Sequence, residues 1–375
     1  MAHSTKTSVK NQNPQIVPMR TKLVYVLTCA PEATYIEQAL MAVWSARHWN
    51  PDAHIVLMVD DKTDALLTGK RGELLNYITE KIVVPFEDKL SSPMYRSRWI
   101  KTQVRQMIDG DFLFVDSDTI CQRSLSEIDS FECEAGAVLE SHLLVKDYCD
   151  GLYSSTKQET AVVGVDLDDE QRYYSSGVIL VKDTKRTHQL FELWHQHWME
   201  GNEKGLGIDQ PSLAKATREM GHIIVQIPDT YTCIMFTRPP FVRDAHILHI
   251  ASYQNPSFLF DGKTLDYIRQ NGIGNEWIQK MILNPCATMM PFDYNLKHST
   301  YRERRQWRKE TVEAWKGYGV YIDGTYSVFP MQSRLRNIVV RLLRKGHIGS
   351  GIRIWFCDRL LRLCRTDVSY NYCRK

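Results

Sequence analysis

Short apolar runs separated by longer mixed segments set the rhythm of this chain. Leu23-Val24-Tyr25-Val26-Leu27-Thr28, His54-Ile55-Val56-Leu57-Met58-Val59 and Ile82-Val83-Val84 have the composition of buried strands. Between the first two, Tyr35 to Trp49 places Ile36, Leu40, Val43, Trp44 and Trp49 on one helical stripe, and Pro51 stops it. Leu74 to Ile78 predicts a second helix. This strand–helix–strand–helix–strand order predicts a parallel sheet with right-handed crossovers, in the manner of a nucleotide-binding half. Ser97 to Ile108 predicts another helix, and the turn signal Asp109-Gly110 precedes a strand at Phe112-Leu113-Phe114-Val115. Further strands are expected at Ala135 to Glu140, ending in a carboxylate, at Val178 to Val181 and at Ala245 to Ile250, with helices at Thr187 to Met199 and from Pro211. Thr264 to Asn271 and Asn275 to Leu283 read as short helices. Thr300 to Trp315 reads as a mainly exposed helix ended by Gly317. The fold class is therefore α/β, a Rossmann-like sheet flanked by helices with a helical C-terminal extension.

Composition adds a division of charge. The charged fraction of 24% and hydrophobic fraction of 43% are ordinary for a globular protein. The net charge of +3 hides eleven Arg or Lys and two Asp between Met331 and Lys375, a local net of +9, so the remainder carries 3 − 9 = −6. An acidic body with a basic tail points to an anionic surface as the tail's partner, and nothing suggests nucleic acid. In that tail Leu335, Ile338, Val339, Leu342 and Leu343 form a helical stripe amid arginines, and Trp355 and Phe356 follow beside more of them. This pattern suits the interface of an anionic bilayer, on the cytoplasmic face of a membrane. Nine scattered cysteines without a CxxC pair argue for reduced thiols. Residues 1–20 are polar and no apolar run reaches the ~18 residues of a spanning helix, which argues against an anchored lumenal enzyme. The expected organisation is a disordered segment at 1–21, a catalytic domain at 22–255, an accessory acceptor-side segment at 256–330 and a membrane-associating tail at 331–375.

Candidate chemistry gathers after the strand at 112–115, where Asp116-Ser117-Asp118 follows. On extended backbone residues i and i+2 point the same way, so both carboxylates can converge on one cation, and oxygen ligands suit Mg²⁺ or Mn²⁺. The preceding helix carries Arg98, Lys101 and Arg105 at spacings that share a face, with Arg98 and Lys101 the better candidates for a diphosphate. Small residues at Ser175-Ser176-Gly177 allow a ligand to approach the backbone closely. Asp209-Gln210 stands at a helix N-terminus. His246 and His249 fall on opposite faces of their strand, so one of them can face the site. His188, His195 and His197 read as partly exposed helix residues rather than ligands.

This ordered set resembles glycosyltransferase family 8 and its relatives on the GT-A fold, over roughly 22–252, which implies that the Rossmann-like sheet is mixed. The motifs that carry the resemblance are Phe114-Val115-Asp116-Ser117-Asp118, Tyr174-Ser175-Ser176-Gly177-Val178, Asp209-Gln210 and Ile247-Leu248-His249. The resemblance implies Mn²⁺, or Mg²⁺, on Asp116, Asp118 and His249, beneath the diphosphate of a sugar nucleotide. It implies donor binding by Thr28, Tyr35, Arg98, Lys101, Asp116, Ser117, Ser176 and Gly177, and catalytic roles for Asp209 and Gln210. The implied activity is metal-dependent transfer of a hexose, with retention, from a UDP-sugar to a saccharide or lipid-linked saccharide; an inverting enzyme would instead need a carboxylate base, with Asp209 or Glu140 the candidate. The chain departs from the family at Thr28-Cys29, where an Asp often contacts uracil, and after His249, where Ile250 to Pro256 replaces Gly-x-x-Lys-Pro-Trp. Two other classes stay in view: a nucleotidylyltransferase, which usually has a glycine-rich basic loop where Cys29 to Ala33 has none, and a silent membrane-surface scaffold.

Overall fold

A computed structural model describes residues 19–86, 92–167, 172–235, 239, 241–250, 257–289, 300–322 and 324. The basic tail at 331–375, nearly all of the N-terminal segment and the stretch 251–256 after His249 lie outside the described residues. The strands are β1 (Lys22–Leu27), β2 (Ile55–Asp60), β3 (Glu80–Val84), β4 (Phe112–Val115), β5 (Thr119–Cys121), β6 (Ala135–Leu139), β7 (Tyr174–Val181), β8 (Ile224–Gln226), β9 (Cys233–Ile234) and β10 (Ile247–His249). The helices are α1 (Tyr35–Trp49), α2 (Asp61–Asp64), α3 (Pro93–Met107), α4 (Asp150–Val162), α5 (Lys185–Glu203), α6 (Gln210–Glu219), α7 (Gly262–Asn271), α8 (Glu276–Leu283) and α9 (Tyr301–Tyr321).

Seven strands form one sheet in the order β3-β2-β1-β4-β7-β6-β8. β1 to β4 run parallel, as the sequence predicts, while β7 runs antiparallel to both β4 and β6. A second sheet has the order β5-β10-β9, with β10 antiparallel to β5. The five inner strands β2, β1, β4, β7 and β6 are buried on both faces, which is why they are mostly apolar runs, while the edge strands β3 and β8 are largely exposed. Along β1, Leu23, Tyr25 and Leu27 enter a core shared with α1, the small sheet and α7 to α9. Val24 and Val26 enter the opposite core, beneath α3, α5 and α6.

Five sequence readings change. Leu74 to Ile78 is not an α-helix; a 3-10 turn covers Arg71–Asn76, where Gly72 disfavours a helix and Leu74 alone is buried. Tyr174 to Gly177 is already strand, so the small residues lie inside β7 rather than before it. α4 was not anticipated: its buried positions are Thr156 and Thr160, which give no apolar stripe. α9 runs through Gly317 to Tyr321, and its Trp307, Ala314, Trp315 and Tyr318 are buried. Gly317 is there for contact instead: a Cβ would collide with the indole of Trp277 on α8. His197 is also buried, bonded to Glu219 at 2.8 Å, and is no surface residue.

Candidate active site

The antiparallel β7 puts its first residues at the same edge as the C-terminal ends of β1, β4 and β6. That edge is where open α/β sheets place their ligands. Asp116 follows β4, and its amide donates to the carbonyl of Gly177 at 2.8 Å. Asp118 precedes β5, and its carbonyl accepts from Ile250 N at 2.9 Å, which draws the end of β10 alongside. His249 thereby faces Asp118, with Nε2 3.1 Å from Oδ1. Ligand atoms of Asp116, Asp118 and His249 all lie within 4.8 Å of one another, and each side chain keeps some solvent access.

These three residues fit a divalent cation. The set joins two hard carboxylates to one imidazole, a donor set that a divalent cation can use. His249 Nδ1 is buried without a hydrogen-bond partner among the described residues. A Cβ on Gly177 would come 2.8 Å from that nitrogen and 3.1 Å from Asp116 Oδ2, so a side chain there would fill the space the ligands share. Burial pushes the Asp116 carboxyl up; Asp118 adds to this and Lys101 opposes it. Burial pushes Asp118 up too, but His249 outweighs it and holds the carboxyl low. Burial alone would lower His249, yet Asp118 and then Asp116 lift it to about 9. The metal-free site thus carries a proton that a cation would displace.

Beside this cluster lies a buried ionic triad. Lys101, 2% exposed, sits over the Phe114 ring at 4.9 Å and within 3.2 Å of Ser176 Oγ, 3.2 Å of Asp209 Oδ2 and 3.4 Å of Asp116 Oδ1. Arg98 Nε is 2.8 Å from Asp209 Oδ1. Burial would raise Asp209, but Lys101 and then Arg98 hold its carboxyl below the usual range. Asp209 occupies the N-cap position of α6, yet its side chain makes no cap bond. Its carbonyl is fixed by the Trp194 indole N–H at 2.9 Å. The next side chain, Gln210, donates through Nε2 to Glu140 Oε2 at 3.0 Å.

The structure therefore brings together Arg98, Lys101, Asp116, Asp118, Ser176, Gly177, Asp209, Gln210 and His249, with Ser117 on the link between the aspartates. Tyr35 is 45% exposed and near enough for Arg98 to feel its phenol. Thr28 follows β1, but its hydroxyl is engaged by the Pro93 carbonyl at 2.5 Å. Arg105 is elsewhere: it bonds the carbonyls of Gly110 and Ile108 and stacks over Phe112. His246 also points away, with Nδ1 on the Ser124 carbonyl at 2.6 Å and its ring on Tyr231. Sequence reasoning missed Phe114 as the platform under Lys101 and the pairing of Glu140 with Gln210. The carboxylate that ends the strand at 135–139 was the available signal for the latter.

No protein-family model matches the chain, and no curated protein sequence matches it. Among solved structures it is similar to galactosyltransferase LgtC in complex with donor and acceptor sugar analogs, at 15% identity and a TM-score of 0.44, over 76% of this chain and all (100%) of that one. It is also similar to mouse xyloside xylosyltransferase 1 in its apo form, at 16% identity and a TM-score of 0.39, over 61% of this chain and 97% of that one.

Proposed function

We propose that this chain is a metal-dependent glycosyltransferase that moves a hexosyl group from a UDP-sugar to a saccharide or lipid-linked saccharide, with retention. The observation that carries this reading is the meeting of Asp116, Asp118 and His249 with the Lys101–Asp209–Arg98 triad at one sheet edge. A bound Mn²⁺ or Mg²⁺ would supply Lewis-acid neutralisation of the leaving diphosphate. Lys101 and Arg98 add fixed positive charge on the same side. Ser176 and Gly177 border the donor sugar, and Tyr35 and Thr28 stand towards the nucleoside. Asp209 orients the sugar hydroxyls, and the Gln210 carboxamide oxygen faces the positive charge that develops at the anomeric carbon.

In the transfer, the bond from the anomeric carbon to the phosphate oxygen breaks and a bond to the acceptor oxygen forms. The acceptor's proton passes to the departing phosphate oxygen on the same face. An inverting route needs a free carboxylate base. Asp209 has a cation at each oxygen and Glu140 accepts from Gln210, which favours the retaining reading. A screen of sugar nucleotides with and without Mn²⁺ tests the proposal. Release of sugar and nucleoside diphosphate should require the metal; turnover undiminished in excess EDTA sinks it, and pyrophosphate exchange would indicate a nucleotidylyltransferase.

We also propose that the segment 331–375 docks the enzyme on the anionic cytoplasmic face of a membrane. Its charge of +9 supports this, since each basic residue near such a surface contributes about 1 kcal/mol. Among the described residues, no helix is long and apolar enough to cross a membrane. Flotation with anionic liposomes should lift the full chain, but not one truncated after Pro330. Equal flotation of both removes the tail from this role.

A further inference from the structure

The turn after β6 has an unusual backbone. Ser141 and His142 both take left-handed angles, φ 60° and 58°, although neither is glycine. Such angles are disfavoured and persist where surrounding contacts impose them. Here they do. His142 Nε2 accepts from Ile234 N at 2.9 Å, its Nδ1 lies 3.3 Å from Asp229 Oδ1, and Phe241 packs edge-on to the ring. Upstream, Glu140 N donates to the Tyr173 carbonyl at 2.8 Å. Glu140 is itself the upstream anchor, and its carboxylate meets the Gln210 amide.

An amide has two chemically opposite ends that exchange by a half-turn. A carboxylate only accepts hydrogen bonds, so the end of Gln210 that meets Glu140 is the nitrogen, and the oxygen is left for the opposite side. Those ends are not equivalent to a sugar in transfer: the oxygen stabilises positive charge at the anomeric carbon, and the amide hydrogens oppose it. We infer that Glu140 is a positioning residue whose hydrogen bond to Gln210 turns the carboxamide oxygen toward the transferred sugar, and that the strained turn at Ser141-His142 holds it there. This rests on the transferase reading and names a residue through which that site acts.

The test pairs kinetics with a readout that needs no turnover. Glu140→Ala should lower kcat for metal-dependent sugar release at least about tenfold, with donor KM changed by less than about twofold. Glu140→Gln, whose amide oxygen can still accept, should stay within about threefold of wild type. In protein labelled with ¹⁵N-glutamine, the Gln210 side-chain amide pair, identified by its loss in Gln210→Ala, should shift in Glu140→Ala. An unmoved amide pair overturns the inference. So does Glu140→Gln being as slow as Glu140→Ala, since the charge and not the hydrogen bond would then matter. A wild type silent on every sugar nucleotide would instead overturn the transferase reading, while the amide resonances still decide whether Glu140 holds Gln210.

Discussion

Two buried carboxylates in this molecule each sit between two cations, and their surroundings differ. Glu37 on α1, 1% exposed, accepts from Arg71 Nε at 2.7 Å and Arg269 Nε at 3.2 Å. Both arginines also donate to the loop between β1 and α1. Arg71 reaches the Pro31 and Ala33 carbonyls at 3.0 and 2.8 Å, and Arg269 those of Glu32 and Ala33 at 3.1 and 2.6 Å. This clamp is closed, and it ties α7 to the loop that leads into Tyr35. Asp209 has its cations at similar range, with Arg98 Nε 2.8 Å from Oδ1 and Lys101 Nζ 3.2 Å from Oδ2. Lys101 is shared with Asp116 and Ser176 as well. The same count of charges thus closes a clamp in one place, while in the other it stands beside Asp116, Asp118 and His249, which keep solvent access, and that open side distinguishes the two.

The sharpest test of this contrast removes a group from the open side. Asp118→Ala should cut metal-dependent turnover at least about a thousandfold, equivalent to about 4 kcal/mol of activation free energy, with thermal unfolding in excess EDTA nearly unchanged. A comparable loss of melting temperature would show that the open site is structural after all. On the closed side Glu37→Gln removes the charge that compensates two arginines. Stability should fall by about 3 kcal/mol in denaturant titrations, while kcat of the folded enzyme is retained. Loss of kcat without loss of stability would erase the distinction.

Smaller effects sharpen it. Asp129 is a closed site of another kind: it accepts from Arg20 N, Thr21 N and Thr21 Oγ1 at 2.7, 2.9 and 2.6 Å. Burial would raise its pKa, but these hydrogen bonds outweigh burial and hold it low. A depressed carboxyl stabilises the fold above its unfolded pKa and ceases to do so as pH falls through the folded value. Wild type should therefore exceed Asp129→Asn by about 1 kcal/mol at pH 7, and the gap should close in acid, as followed by unfolding midpoints across that range. The smallest effect belongs to His246→Ala, which should change the Mn²⁺ dependence of turnover by less than about twofold where His249→Ala shifts it strongly. Equal shifts in both would mean that β10 presents the other face.

The large sheet was legible because its inner strands are buried on both faces and so read as apolar runs. Asp116, Asp118 and His249 were legible because strand geometry fixes direction: i and i+2 share a side, and His246 and His249 cannot. The same reasoning overreached at Arg105. It shares a helical face with Lys101, but it lies a turn further from the strand ends, roughly 6 Å along α3, and meets Gly110 instead. The pairings of Glu140 with Gln210 and of Glu37 with Arg269 join residues far apart in sequence. Periodicity reports which side of an element is buried, not which distant element covers it. The buried side of α9, not the helix itself, hid for a related reason: Trp307, Trp315 and Tyr318 are diluted by a run of arginines. Gly317 then reads as a stop when it is a space for Trp277.

The position of the aspartates has a thermodynamic consequence. Asp116 and Asp118 occupy the short link from β4 in the large sheet to β5 in the small one, and His249 ends β10 in the small sheet. A cation held by all three would fasten the seam between the sheets, joining residues more than a hundred positions apart in sequence. Because such a ligand set exists only when both sheets are assembled, binding favours the folded chain by about 2.7 kcal/mol at a hundred times the dissociation constant. The melting temperature would then track the free cation concentration. Where that pool is low, the seam at the sheet edge would be the first part of the domain to loosen, and catalytic competence and resistance to unfolding would decline together.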